Sequence, residues 1–224
     1  MNYTLMNIFK SDSPSDMLRD MHQKGTLKEL MPEISELEGV IQPEKHHPEG
    51  DVLEHSLQVL ACMEKLTKEP AILYTALVHD VGKGITPKEL LPKHHQHEKN
   101  GVPIVERMSQ RLRVPETWAE SAKYGTLHHG TFHKLLEMRS VKVVDFLYNT
   151  SKNPLGIEGL AQLGLCDHRG RNNPDGTHEC VEPWLEMWEY LVQHPPLPHE
   201  RPEDARVRQG NGIKRIQKKH TRGQ

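Results

Sequence analysis

The dipeptide His79-Asp80 closes an apolar run and is followed by Val81-Gly82-Lys83-Gly84. An imidazole nitrogen and a carboxylate oxygen on consecutive residues can hold one divalent ion if other segments bring the remaining ligands. Candidates exist on both sides. His55 shares a predicted helix flank with Val52, Val59 and Cys62, where an unbonded histidine would be costly. Asp167 ends a later predicted helix, in the stretch CDHRGR from Cys166 to Arg171. Two nitrogens and two oxygens would leave positions open for water and substrate, and a metal so held gives hydroxide near neutral pH. Singly, each residue has a plain structural reading: His55 bonded to backbone in the core, Asp167 capping a helix or pairing with Arg169. In the order His55, His79, Asp80, Asp167 they read together as a metal seat.

Other groups could work beside that seat. His94, His95 and His97 form one cluster, and His128, His129 and His133 another. His97, His128 and His129 could complete a second metal seat with Asp80 as bridge; loop histidines that are merely solvated, or that meet phosphate when protonated, are the alternative. Asp80 is placed to orient the attacking water. Lys83, one turn after His79, could meet a phosphate oxygen; its other reading is a solvated lysine at a helix C-terminus. The glycines around it suggest close approach by a ligand. His128 or His133 could protonate a leaving oxygen, which makes His128 a catalytic candidate with Asp80 and Lys83. Lys83, His94, His133 and Arg171 are the substrate-binding candidates, with Arg111, Arg113 and Arg169 behind them, because guanidinium grips phosphate with two bonds. A histidine-rich shell favours Mn, Ni, Co or Fe, with Mg as a further option.

Helices must position these groups. Ser13-Pro14-Ser15-Asp16 reads as a helix start, and the amphipathic positions Leu18, Met21, Leu27, Leu30 and Met31 follow, broken at Gly25. Residues 43–50 read as a loop, and Asp51 starts the helix that carries His55. Residues 70–81 suit a helix buried on most sides. Thr86-Pro87-Lys88-Glu89 has the form of a capping box before a short helix. Further helical stripes run through Val102, Val105, Met108 and Leu112, then from Pro115 through Trp118 and Ala122 to His128. Three more follow: Val141, Val144 and Leu147; Ile157, Leu160, Ala161 and Leu165; Val181, Trp184, Met187, Trp188 and Leu191. The last is a core stripe or a dimer face. No period-two run appears, so the class is all-α.

Composition sets the outer limits. The chain has 224 residues, enough for one domain with a core. Its hydrophobic content is 35% and its net charge −2, so it is not a nucleic-acid-coating protein as a whole. Three dispersed cysteines with no CxxC pair argue against a cysteine zinc site and a disulfide framework, and fit a reducing compartment. Without a basic leader or a membrane-length apolar run, a cytoplasmic protein with no membrane partner is expected. After Pro195, Pro196 and Pro198 the texture turns basic, with Arg206, Arg208, Lys214, Arg215, Lys218, Lys219 and Arg222. The expected division is a folded domain over 1–195 and a basic, disordered tail over 196–224. Such a tail could make weak nucleic-acid contacts, and a non-catalytic RNA-binding module is therefore a rival reading.

The ordered set His55, His79-Asp80, Asp167 resembles the HD-domain superfamily of metal-dependent phosphohydrolases. Four stretches narrow the resemblance: KHHPEGDVLEHSL over 45–57, HDVGKGITPKELLPKHHQHE over 79–98, QRLRVP over 110–115 and DHRGR over 167–171. These look like the HD domain of bacterial CCA-adding tRNA nucleotidyltransferases, over about Met17 to Trp188. The resemblance implies an HD-domain helical bundle. The chain shows no Gly-rich stretch with catalytic carboxylates of the nucleotidyltransferase kind, so nucleotide addition is not expected. What the resemblance implies instead is hydrolysis of 2′,3′-cyclic phosphodiesters, and of 2′-nucleotides or other phosphomonoesters, on nucleotides or RNA 3′ ends. An HD nucleotidase, or a nucleoside triphosphate or cyclic-nucleotide phosphohydrolase, is the neighbouring alternative.

Overall fold

The computed structural model describes residues 4–221, and within them the fold is all-α. Four short helices open the chain: α1 (Leu5–Phe9), α2 (Pro14–Gln23), α3 (Thr26–Leu30) and α4 (Pro32–Ser35). The break between α2 and α3 falls at Gly25, whose φ of 77° is the left-handed conformation that glycine adopts without strain. Then come α5 (Val52–Met63), α6 (Pro70–Val78), α7 (His97–Arg111), α8 (Glu116–Phe132), α9 (Ser140–Lys152), α10 (Gly156–Arg169), α11 (Val181–Gln193) and α12 (Pro202–Thr221).

The nearly all-apolar α6 forms the axis of the bundle, as its composition requires. Leu73, Tyr74, Ala76, Leu77 and Val78 are buried, and α5, α8 and α10 pack around them. Phe9 of α1 closes one end, edge-on to Tyr74 and Trp118. Trp184 of α11 is fully buried against Phe132 and Phe146 and donates its indole N–H to the Ile157 carbonyl, 2.9 Å away. The α11 stripe is therefore core.

Two local devices aim the site residues. Asp51 caps α5, accepting from the Glu54 amide at 2.9 Å, and its second oxygen takes the Gly39 amide at 2.9 Å. With the isolated bridge Ile41–Asp51, this pins the loop over 42–50 against the start of α5. The second device follows α6. The helix ends at Val78, and Val81–Ile85 forms a 3₁₀ turn. A Cβ on Gly82 would lie 2.1 Å from the His97 carbonyl and 2.6 Å from the Gly101 amide. Gly82 thus lets the start of α7 approach, carrying His97 towards Asp80. The close approach expected of a ligand at this glycine is made by backbone instead.

Two expectations are corrected here. The Thr86-Pro87-Lys88-Glu89 box yields only a 3₁₀ turn over Lys88–Leu90, because the Thr86 hydroxyl bonds His94 Nδ1 (2.8 Å) rather than capping a helix. The basic segment is not a disordered tail: residues 202–221 form α12, packed on α9 and α11. Ala205, Gln209, Ile213 and Ile216 lie along one buried stripe, and the Gln217 amide donates to the Leu135 and Met138 carbonyls. Arg222 lies outside the described residues.

Candidate metal centre

The ends of α6 and α10 and the first turn of α5 meet at Asp80. His55 Nε2 lies 3.1 Å from Asp167 Oδ1 and 3.6 Å from Asp80 Oδ2, and His79 Nε2 lies 3.3 Å from the same Asp80 oxygen. Across the Asp80 carboxylate, His97 Nε2 and His129 Nε2 approach Oδ1 at 3.3 and 3.4 Å, and each other at 3.3 Å. Asp80, Asp167, His55 and His79 are all buried, at no more than 2% exposure.

The hydrogen bonds at each Nδ1 fix which nitrogen faces inward. Nδ1 of His55 faces Glu49 Oε1 at 2.7 Å; that of His79 faces the Ala76 carbonyl at 2.8 Å. Nδ1 of His97 faces the His94 carbonyl at 2.9 Å, and that of His129 the Thr126 carbonyl at 3.0 Å. Carbonyl and carboxylate oxygens only accept, so each Nδ1 must carry the proton and each neutral ring turns a bare Nε2 lone pair to the centre. The centre therefore gathers imidazole lone pairs and carboxylate oxygens, which repel one another unless a cation sits between them. His55 Nε2, His79 Nε2 and Asp80 Oδ1 are buried without a hydrogen-bond partner. Orphaned acceptors of this kind are what a metal ion satisfies. The donor set His55, His79 and Asp80 fits a divalent ion, with Asp167 Oδ1 beside it 3.1 Å from His55 Nε2, and Asp80 with His97 and His129 offers a second seat.

Electrostatics agree with that fit. Burial would raise the carboxyl of Asp80, yet the Lys83 ammonium beside it holds it well below the usual range. Asp167 is held down likewise, against burial, by Arg171 and His133. Burial would lower His55, but the adjacent carboxylates of Asp167 and Glu49 push it up to about 9, so the surroundings favour positive charge at that spot.

Comparison with known proteins now bears on the family. Residues 52–150 match the family model for the HD domain, a span that includes His55, His79, Asp80, His97 and His129. The chain is 38% identical over 185 residues to the Multifunctional CCA protein of Shewanella denitrificans, covering 82% of this chain and 44% of that one. It is 35% identical over 176 residues to the protein of that name from Teredinibacter turnerae, covering 75% and 41%. With the one from Methylococcus capsulatus the identity is 40% over 135 residues, covering 60% and 32%. The chain belongs to the HD-domain superfamily. It spans less than half the length of these relatives.

HD domains form a superfamily of metal-dependent phosphohydrolases, and the cluster at Asp80 supplies the donors that such chemistry needs. Asp167 lies beyond the matched span and reaches the HD cluster through the packing of α10 on α5. Lys83 donates to Asp80 Oδ2 at 2.6 Å and to Gln42 Oε1 at 2.7 Å; the 3₁₀ turn, not a continued helix, brings it there. Arg171 reaches Asp167 at 2.9 and 3.1 Å, and its Nε is buried without a partner. His133 bonds Asp167 Oδ2 at 2.5 Å.

Other sequence candidates go elsewhere. His128 does not join the cluster: it points to the far flank of α8, against Tyr124 and Phe146. His94 has both nitrogens engaged, with the Thr86 hydroxyl and the Ile41 carbonyl, so it staples loops together rather than facing a substrate. Arg111 pairs with Glu33, and Arg169 donates to the Gly176 carbonyl.

Two supporting residues escaped the sequence reading. The Glu49 side chain is covered and takes both His47 Nδ1 (2.8 Å) and His55 Nδ1 (2.7 Å). His178 stands behind His133. Its Nδ1 accepts from the Cys180 amide at 3.0 Å, so its proton is on Nε2 and goes to His133 Nδ1. His133 must then carry its own proton on Nε2, aimed at Asp167. The carboxylate between two histidines in HHPEGDVLEH was the only available signal for Glu49; His178 gave none, because a long excursion of chain brings it in.

Among the described residues no helix is long and apolar enough to cross a membrane.

Proposed function

We propose that this HD domain hydrolyses 2′,3′-cyclic phosphodiesters of nucleotides or of RNA 3′ ends, with phosphomonoesters such as 2′-nucleotides as further substrates. The observation that carries the reading is the convergence of bare Nε2 lone pairs and carboxylate oxygens on Asp80, beside the cations Lys83 and Arg171. The choice of substrate class draws on the relatives, which are named as CCA proteins, and on the resemblance of the site stretches to the HD domain of tRNA nucleotidyltransferases.

His55, His79, Asp80 and Asp167 would hold the first ion, a transition metal such as Mn, Ni, Co or Fe, and Asp80, His97 and His129 the second. The ion supplies Lewis acidity, lowering the pKa of water towards neutrality and drawing charge from phosphoryl oxygens. The side chains do the rest. Asp80 orients the water that adds to phosphorus. Lys83 and Arg171 face the negative charge that builds on the non-bridging oxygens. His133, whose Nε2–H is held beside Asp167, donates a hydrogen bond to the ribose oxygen as the P–O bond breaks, and that oxygen takes up the proton of the attacking water. His178 holds His133 in register by the bond at Nδ1.

The packing of α12 bears on the rival, non-catalytic reading. Arg206 pairs with Asp145 and Lys219 with Glu186, so part of the basic segment serves to dock the helix.

The test is to strip the protein with chelator, reload it with Mn, Ni or Co, and assay 2′,3′-cyclic AMP, 2′-AMP, nucleoside triphosphates and a short RNA ending in a cyclic phosphate. Metal-dependent opening of the cyclic phosphates supports the reading. Turnover confined to triphosphates would replace the substrate class, and no turnover with any loaded metal would overturn the proposal.

A further inference from the structure

A second reactive centre lies two helical turns along α5 from His55, where that helix packs on α10. Cys62 Sγ and Cys166 Sγ are 2.8 Å apart, and Cys166 donates its S–H to Cys62. A disulfide bond is about 2.05 Å long, so joining them requires a shortening of about 0.8 Å. Their surroundings differ. Cys166 is fully buried, whereas Cys62 is half-buried and lines a surface pocket of about 310 Å³ with Lys65, Arg169, Arg19 and Gln58. Arg19 is already taken by Glu54, which leaves Lys65 and Arg169 as the cations facing the thiol.

We propose that Cys62 is an oxidation site for small peroxides, and that Cys166 resolves it into a reversible disulfide bridging α5 and α10. Attack of the Cys62 thiolate breaks the peroxide O–O bond, giving Cys62 sulfenic acid and a hydroxide or alkoxide that takes up a proton. The Cys166 sulfur then attacks the Cys62 sulfur, the S–O bond breaks, and water leaves with the Cys166 proton. Two thiols have lost two electrons to one peroxide. The division of roles follows from access: the peroxide meets the sulfur that opens on the pocket, and the buried one waits behind it. Supporting this, the bond from Cys166 and the charges of Arg169 and Lys65 bring Cys62 down to about 7, against its burial. Cys180 is the contrast, since burial pushes it up to about 11 and it faces the His133 carbonyl. The bridge would join the helix that carries His55 to the helix that carries Asp167.

The experiment needs neither metal nor substrate, so its outcome is independent of the phosphohydrolase reading. The full chain is reduced, freed of reductant, exposed to a modest excess of hydrogen peroxide, denatured in a thiol-blocking reagent and mapped by mass spectrometry. The expected result is loss of two of the three thiols, a Cys62–Cys166 linked peptide, a free Cys180 and full recovery with dithiothreitol. C166S should stop at a Cys62 sulfenic acid that dimedone captures, and C62S should leave both remaining thiols unreacted over the same interval. Should C166S not fold, C62S and the linked peptide still decide the matter. Oxidation of Cys180 ahead of the pair, survival of all three thiols, or unchanged thiol loss in C62S would each overturn the proposal.

Discussion

Asp80 and α12 both carry charge into the fold, and they do so on opposite terms. At Asp80 the charge is buried, and several acceptors around it, among them His55 Nε2 and His79 Nε2, have no partner. Along α12 the charges stand at the surface, where Lys219 meets Glu186 and Arg206 meets Asp145, while Ile213 and Ile216 anchor the helix beneath them. Buried charge left incomplete is expensive, so a fold keeps it where a ligand completes it. Surface ion pairs cost little and contribute little. The difference teaches which charges to read as chemistry and which as docking.

That contrast can be broken most sharply at Asp80. Asp80→Asn keeps the shape and the bond from Lys83 but removes the anion shared by the two seats. Hydrolysis of cyclic phosphate should fall by more than about 10³-fold, the scale on which members of a catalytic unit act. Metal content, read by elemental analysis, should fall with it while the helical circular dichroism stays; parent-level metal and turnover would abolish the distinction. On the docking side, Ile213→Ala should cost about 2–5 kcal/mol in denaturant unfolding, the range for truncating a buried isoleucine. If α12 were peripheral, the transition would not move.

Smaller effects sharpen the picture. Glu49→Gln keeps an acceptor for His55 Nδ1 but loses its charge, and should weaken metal binding by about 10–100-fold, as outer partners of ligating histidines do. A chelator-competition titration measures this, and saturating metal should restore most of the turnover. Lys219→Ala should shift stability by under about 1 kcal/mol. Smallest of all, His128→Gln should leave both metal content and turnover at the parent level, although His128 adjoins His129 in the chain; a large loss there would place His128 at the reacting atoms after all.

His128 and His129 also mark where the sequence stops being informative. Both lie in one histidine cluster, and the sequence offers both as possible ligands of a second metal. Successive helical residues point about 100° apart, so only one of the two can face Asp80. His129 does, and His128 packs on Tyr124 and Phe146. The tail failed as an expectation for a different reason. Its buried stripe uses Ala205, Gln209, Gly210 and Gly212, residues that carry little hydropathy and acquire value only against a partner surface. Gly212 is closest to Tyr190, where a Cβ would lie 2.0 Å from the ring. Composition alone reads such a segment as solvated.

The sequence by itself determined the helical class, most helix positions, and the residue types from which a metal centre could be assembled, since periodicity, caps and donor chemistry are local properties of the chain. The direction of each imidazole, the seating of His97 beside Asp80, the service of Glu49 and His178, and the meeting of Cys62 with Cys166 were decided by tertiary structure alone. These depend on distances between segments far apart in the chain, which only the packing of helices sets.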